Sequence, residues 1–171
     1  ATVAEGAAGG IVGGTFVALI PNPALDETPT VQLGGHTSGN WYNPDTSGIG
    51  FQIEATTAID AASGLPVMLV YWFAYAPDGN TQSWIYGQGT YNPTSNTVTL
   101  PAAITSGARF PPNFNHDDIN AVAWGTLTFT FSDCNNGTAS WNSTVPGYGS
   151  GSMAITRLTQ LAGTTCPGAA P

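Results

Sequence analysis

The 171-residue chain contains no lysine, and its only arginines are Arg109 and Arg157. With ten acidic residues its formal net charge is −8, and charged residues make up only 7% of it. Each shortage excludes chemistry. Without lysine there is no Schiff base, no phosphate-gripping loop lysine and no lysine-to-asparagine cross-link. Without a basic patch there is nothing to neutralise phosphates, so no nucleic-acid partner is expected. Anionic membrane surfaces are excluded on the same ground. Two histidines, His36 and His116, and two cysteines are too few for a zinc site. No apolar run approaches the ~20 residues that a spanning helix needs, so no transmembrane segment is expected. Helical periodicity is almost absent too: no stretch repeats apolar residues at three and four while avoiding Gly, Pro and β-branched residues.

Strand patterning is abundant. Hydrophobic residues reach 42% and aromatics 11%, enough apolar surface to bury a core. In "GTLTFTFS" (125–132), Leu127, Phe129 and Phe131 face one way and Thr126, Thr128 and Thr130 the other. That alternation predicts an antiparallel strand with one wet face. "PVMLVYWFAYA" (66–76) is apolar on both faces and predicts a central strand covered on each side. "PDGNT" is a turn, and "QSWIYGQGTY" (82–91) follows it as the second strand of an aromatic hairpin. Shorter strands are predicted at 49–56, 96–100, 137–144 and 150–158. This spacing predicts an all-β fold, an antiparallel sandwich or barrel of about 7–8 strands with an N-terminal extension.

Two regions break the pattern. Residues 106–122, "SGARFPPNFNHDDINAV", read as a long loop of the kind often tied to function. Residues 1–30 read as a flexible extension ahead of one β domain, 31–171. Within the extension, the strand-like Thr15, Phe16, Val17, Ala18, Leu19 and Ile20 stand between a glycine-rich leader and a proline-rich tether.

Cys134 and Cys166 read as one disulfide in an exported protein, closing a loop of about 33 residues worth roughly 3–4 kcal/mol on the chain-entropy model. The start "ATVAEGAAGG" reads as a mature terminus after removal of a signal peptide, which places the protein outside the cell or at its surface.

Four runs, "GNWYNPDTSGIGFQIEA", "LVYWFAYAPDGNTQSWIYGQGTY", "GTLTFTFSDCNNGTASW" and "GYGSGSMAITRLTQLAGTTC", carry a resemblance. Over residues 38–166 the chain resembles a group of exported proteobacterial proteins of uncharacterised function. These share a Trp-Tyr-Asn-Pro…Ser-Gly-x-Gly-Phe motif, a Tyr/Trp-rich hairpin and a late Thr-Arg-Leu segment. The resemblance implies export and the disulfide, and it supplies no catalytic residue.

The residues themselves point away from catalysis. In "SGNWYNPDTSGIGFQIEA" (38–55), Pro44 to Gly48 are turn formers, Phe51 and Ile53 point inward, and Gln52 and Glu54 point outward. Ser47 lacks the strand-turn-helix setting of a nucleophile elbow. Glu54 with the loop acids has no spacing that compels a glycosidase pair, and neither histidine stands in a triad motif. Asp117 and Asp118 offer hard oxygen ligands without the full calcium-loop spacing. No catalytic residue and no cofactor are expected.

Two non-enzymatic roles remain. The first is a structural subunit of an extracellular filament or surface assembly, with copies of the chain as partners and strand 15–20 donated into a neighbour's sheet. The second is a secreted carbohydrate-binding or adhesive module. In it, Trp41, Tyr42, Trp84 and Tyr86 would stack on a polysaccharide, because sugar CH faces pack on aromatic rings.

Overall fold

The computed structural model describes residues 31–167. They form a closed antiparallel barrel in which eight strands pair in chain order, β1 through β8. The strands are β1 (Gly39–Tyr42), β2 (Gly50–Ile59), β3 (Pro66–Tyr75) and β4 (Gln82–Thr90), followed by β5 (Thr97–Ser106), β6 (Asn120–Phe131), β7 (Asn136–Ser143) and β8 (Ser150–Arg157). The ring closes between β1 and β8, where Trp41 pairs with Arg157 and Tyr42 with Thr156. Closure removes the unpaired edges that an open sheet exposes. Among the described residues no helix is long and apolar enough to cross a membrane.

Alternation along each strand sends every second side chain inward. Phe51 and Ile53, then Met68, Val70 and Trp72, then Val98 and Leu100, and then Leu127, Phe129 and Phe131 are all buried. Rings from strands that are not neighbours touch across the interior. Phe51 of β2 meets Phe129 of β6 edge-on at 5.2 Å, and Trp41 of β1 meets Phe131 of β6 at 5.0 Å. The barrel is therefore filled by side chains, as an eight-stranded barrel can be.

One end is closed by chain. Val31 and Leu33 are buried there, and the Leu33 amide donates to the Ser95 carbonyl at 2.8 Å in the β4–β5 loop. The Trp41 indole donates to the Thr37 carbonyl at 3.0 Å. Arg157 lies over the Trp41 ring at 5.0 Å, and its guanidinium donates to the His36 carbonyl. Cys134, just after β6, is disulfide-bonded to Cys166, which pins the C-terminal segment to the barrel.

The stretch 38–55 is a hairpin. A short 3-10 turn, Pro44–Thr46, joins β1 to β2, capped by the Asn43 side chain, which accepts from the Asp45 amide at 2.7 Å. The expected loop at 106–122 is shorter: β5 runs to Ser106 and β6 begins at Asn120. The expectation for 66–76 fails on one face. The inner face of β3 is buried, yet among the described residues nothing covers the outer one, where Phe73 and Tyr75 remain exposed. An apolar run on both faces had suggested two covering layers; a barrel wall has only one.

Candidate functional site: an aromatic outer wall

The uncovered face is continuous across four strands. Register places Tyr42 of β1 next to Gly50 of β2, which is opposite Phe73 of β3, which is opposite Trp84 of β4. Strands lie about 4.8 Å apart, so the row from Tyr42 to Trp84 spans roughly 14 Å. Trp84 is 63% exposed, Tyr75 53% and Phe73 39%, high values for large apolar side chains. Gly50 leaves a dent between its neighbours. There Tyr42, Phe73 and Leu158 rim an open groove of about 380 Å³.

The rings hold one another in place. Phe73 and Trp84 meet edge-on at 5.8 Å, Tyr71 lies nearly parallel to Phe73 at 6.4 Å, and Tyr71 tilts against Tyr86 at 5.2 Å. The two cross-strand pairs, Phe73 with Trp84 and Tyr71 with Tyr86, each stabilise the sheet by about 0.2–1 kcal/mol. The Tyr86 hydroxyl donates to the Gln88 side chain. Burial, reinforced by Tyr71, pushes the Tyr86 phenol above its ordinary value, so it remains an uncharged donor at neutral pH. Gln52, Gln82 and Gln88 share the outward face and bring amide groups to its margins.

The stacking residues expected from sequence separate here. Trp84 and Tyr42 stand at the two ends of the outer row, and Tyr86 lies half-buried beside it. Trp41 does not belong. It is 1% exposed, packed between Phe131 and Arg157 with its N–H satisfied, and presents no face to a ligand. Its neighbour in sequence points out because successive strand residues alternate. Sequence reading missed Phe73 and Tyr75, although both stood in the aromatic hairpin already noted.

The acids are occupied locally. Asp60 accepts from the Ser63 hydroxyl at 2.7 Å and amide at 2.8 Å, and these bonds hold its carboxyl below the ordinary value. Asp78 accepts from the Asn80 and Thr81 amides at 2.9 and 3.1 Å, with the same effect. Glu54 accepts from the Gln52 side-chain Nε2 at 2.7 Å. Asp117 and Asp118 sit on an exposed 3-10 turn, His116–Asp118, where His116 lies 3.9 Å from Asp117. Among the described residues no group of three or more His, Cys, Asp or Glu side chains is placed to hold a metal ion. The proposed donor strand, 15–20, lies outside the described residues.

No family model matches the chain, and no curated protein and no solved structure is significantly similar to it.

Proposed function

We propose that this protein is an exported, non-catalytic carbohydrate-binding barrel that holds a neutral polysaccharide on the outer face of β1–β4. One observation carries the reading: the same barrel solves the same packing problem in two ways. On the outer face of β5–β6, cross-strand threonines bond hydroxyl to hydroxyl, Thr97 to Thr130 at 3.0 Å and Thr99 to Thr128 at 2.8 Å. That ladder needs no exposed apolar surface. The β3–β4 face uses Tyr71, Phe73, Trp84 and Tyr86 instead and leaves large rings in water. Stability alone does not require the second solution, and exposed aromatic patches mark interaction surfaces.

The partner's chemistry follows from the face. Rings offer flat apolar contact to sugar CH groups, while the glutamine amides and the tyrosine hydroxyl offer hydrogen bonds. A formal charge of −8 with two arginines disfavours a polyanion. The disulfide fits an oxidising compartment, in keeping with export. Strand donation is the less supported role, since each described strand is paired on both flanks in the closed ring, which offers no edge to a donor.

Affinity electrophoresis against a panel of soluble neutral polysaccharides tests the reading. At least one should retard the wild-type protein, and Trp84→Ala should weaken that binding by roughly 5- to 30-fold, the loss of about 1–2 kcal/mol for one stacked ring. Trp84 is largely exposed, so its loss should leave the fold intact. Retardation unchanged in a Tyr42→Ala/Trp84→Ala double variant, or no retardation by any polysaccharide, would sink the proposal.

A further inference from the structure

The threonine ladder on the outer face of β5–β6 stops partway along the strands. Beyond Pro101, which pairs with Thr126, the register sets Ala103 against Ala123 and Thr105 against Ala121. Tyr86 of β4 is opposite Ala103 on the other side, so a ring stands beside a floor of methyl groups. Pro101, Ala121, Val122 and Ala123 are exposed. With Tyr86 and Ala103 they line an open groove of about 330 Å³, and no charged side chain borders it. Single exposed apolar residues need no explanation, but a contiguous trough of them marks a contact surface.

Two observations indicate what covers it. The first is where the chain enters the fold. Val31 and Leu33 are buried, and the Leu33 amide bonds to Ser95 in the β4–β5 loop, so residues 1–30 start from the base of the seam that the groove flanks. From Ser95, β5 rises roughly 20 Å to Pro101, where the groove begins, and roughly 33 Å to Thr105. Ile20 and Val31 are 11 residues apart. Such a stretch spans about 18 Å as a coil and about 34 Å as an extended polyproline helix. The groove lies between those limits. The second observation is fit. Residues 15–20 are uncharged, as the groove is. In an extended chain Phe16, Ala18 and Ile20 share one face, and Phe16 to Ile20 covers about 13 Å, the same rise as from Pro101 to Thr105.

We propose that residues 15–20 of the same chain pack lengthwise in this groove, with Ile20 near Pro101 and Phe16 near Ala121 and Val122. The segment then forms a second layer over part of the wall and shields methyl groups that otherwise meet water. Connectivity favours the chain's own segment over one from a second copy. A tether whose reach matches the span holds its cargo at an effective concentration in the millimolar range, far above that of a neighbour in dilute solution. The closed ring points the same way. Each described strand is paired on both flanks, so the segment must lie on a face and not enter the sheet. Docking requires no sugar, although Tyr86 and Gln88 belong both to the groove and to the margin of the aromatic wall.

The test uses the full chain with carbon-13 in its alanine methyl groups. Nuclear Overhauser contacts should join Phe16 and Ile20 to the methyls of Ala103, Ala121 and Ala123. Ala123→Glu places a charge in the floor of the groove and should abolish the Ala103 and Ala121 contacts. Ala123 is exposed, so the barrel should tolerate the change. Phe16→Asp lies outside the barrel and decides the matter if Ala123→Glu does not fold: it should remove the Ile20 contacts and shift all three methyl signals. The proposal is overturned if the wild-type chain shows no such contact, if the contacts survive in folded Ala123→Glu, or if Phe16→Asp leaves the methyl signals in place. A mixture of labelled and unlabelled chains separates the two sources of the segment. Contacts running between labelled and unlabelled chains would put a second copy's segment in the groove and likewise overturn the proposal. Because the outer-wall reading is judged by polysaccharide retardation, either can fail without the other.

Discussion

Replacing Gly125 with alanine is the most demanding test of the barrel's geometry. Gly125 has a φ of +143°, and a Cβ added there would lie 2.0 Å from the Asn142 carbonyl oxygen and 2.8 Å from the Ser143 Cα. Both obstacles are backbone atoms of the paired strand β7, so no side chain can swing aside. The residue also sits at a register irregularity: Ala102 pairs with Gly125, but Ala103 pairs with Ala123. One extra residue on β6 is accommodated there as a bulge. Alanine in this conformation costs about 1–3 kcal/mol in backbone strain. Pushing β7 away forfeits one or two ladder bonds at about 0.5–1.5 kcal/mol each. The sum is roughly 1.5–6 kcal/mol, which for a domain of this size lowers the melting midpoint by about 3–24 °C.

Thermal unfolding followed by circular dichroism measures this directly, and Gly48→Ala supplies the control. Gly48 also has a positive φ, +107°, but nothing lies within 4 Å of its added Cβ. It reports strain without collision and should cost only the strain term, about 1–3 kcal/mol. A midpoint for Gly125→Ala within about 2 °C of wild type, or no greater loss than Gly48→Ala, would refute the argument that β6 is wedged against β7.

Three further outcomes are expected. Replacing Cys134 and Cys166 together by serine should lower stability in urea by roughly 3–4 kcal/mol, and an unchanged midpoint would show that the bridge restrains little. Asp60, Asp78 and Asp133 have carboxyls held below their ordinary values by hydrogen bonds from neighbouring residues. A carboxyl depressed in the fold contributes stability above its unfolded value of about 3.9, and that contribution is lost as pH falls through the lower folded value. Melting midpoints should therefore be level from pH 7 to about 5 and decline below about 4. Asparagine at all three positions should flatten the acid decline, and an identical acid limb would place its cause elsewhere. Trp84→Ala should leave the melting midpoint within about 2 °C of wild type while weakening polysaccharide binding, and a large destabilisation would make the wall structural.

The fold was legible where one rule governed a stretch without interruption. Leu127, Phe129 and Phe131 point inward and their threonine neighbours outward, as period two requires. Turn chemistry at Pro44–Thr46 likewise identified the first hairpin. The choice between sandwich and barrel was not legible, because closure depends on a brief pairing of Tyr42 with Thr156 and Trp41 with Arg157, far apart in the chain. Trp41 was misassigned for a similar reason. Both Trp41 and Tyr42 are aromatic, and only the register of β1 decides which one is buried.

The burial of Trp124 was hidden by a local fault in the pattern. Reading the alternation of β6 backward from Leu127 puts Gly125 and Ala123 inside the barrel and Trp124 outside. The bulge at Gly125 reverses that phase: Trp124 is fully buried, while Ala123 is exposed. A one-residue shift in a strand moves every side chain beyond it to the other face. Here the shift confines the regular threonine-outward wall to the far half of β6 and delivers an indole to the open end, beside Trp72 and Tyr148. Gly125 is thus tied to both properties of the strand. It is the residue that permits the bulge, and through the bulge it decides that Trp124 lies inside the barrel.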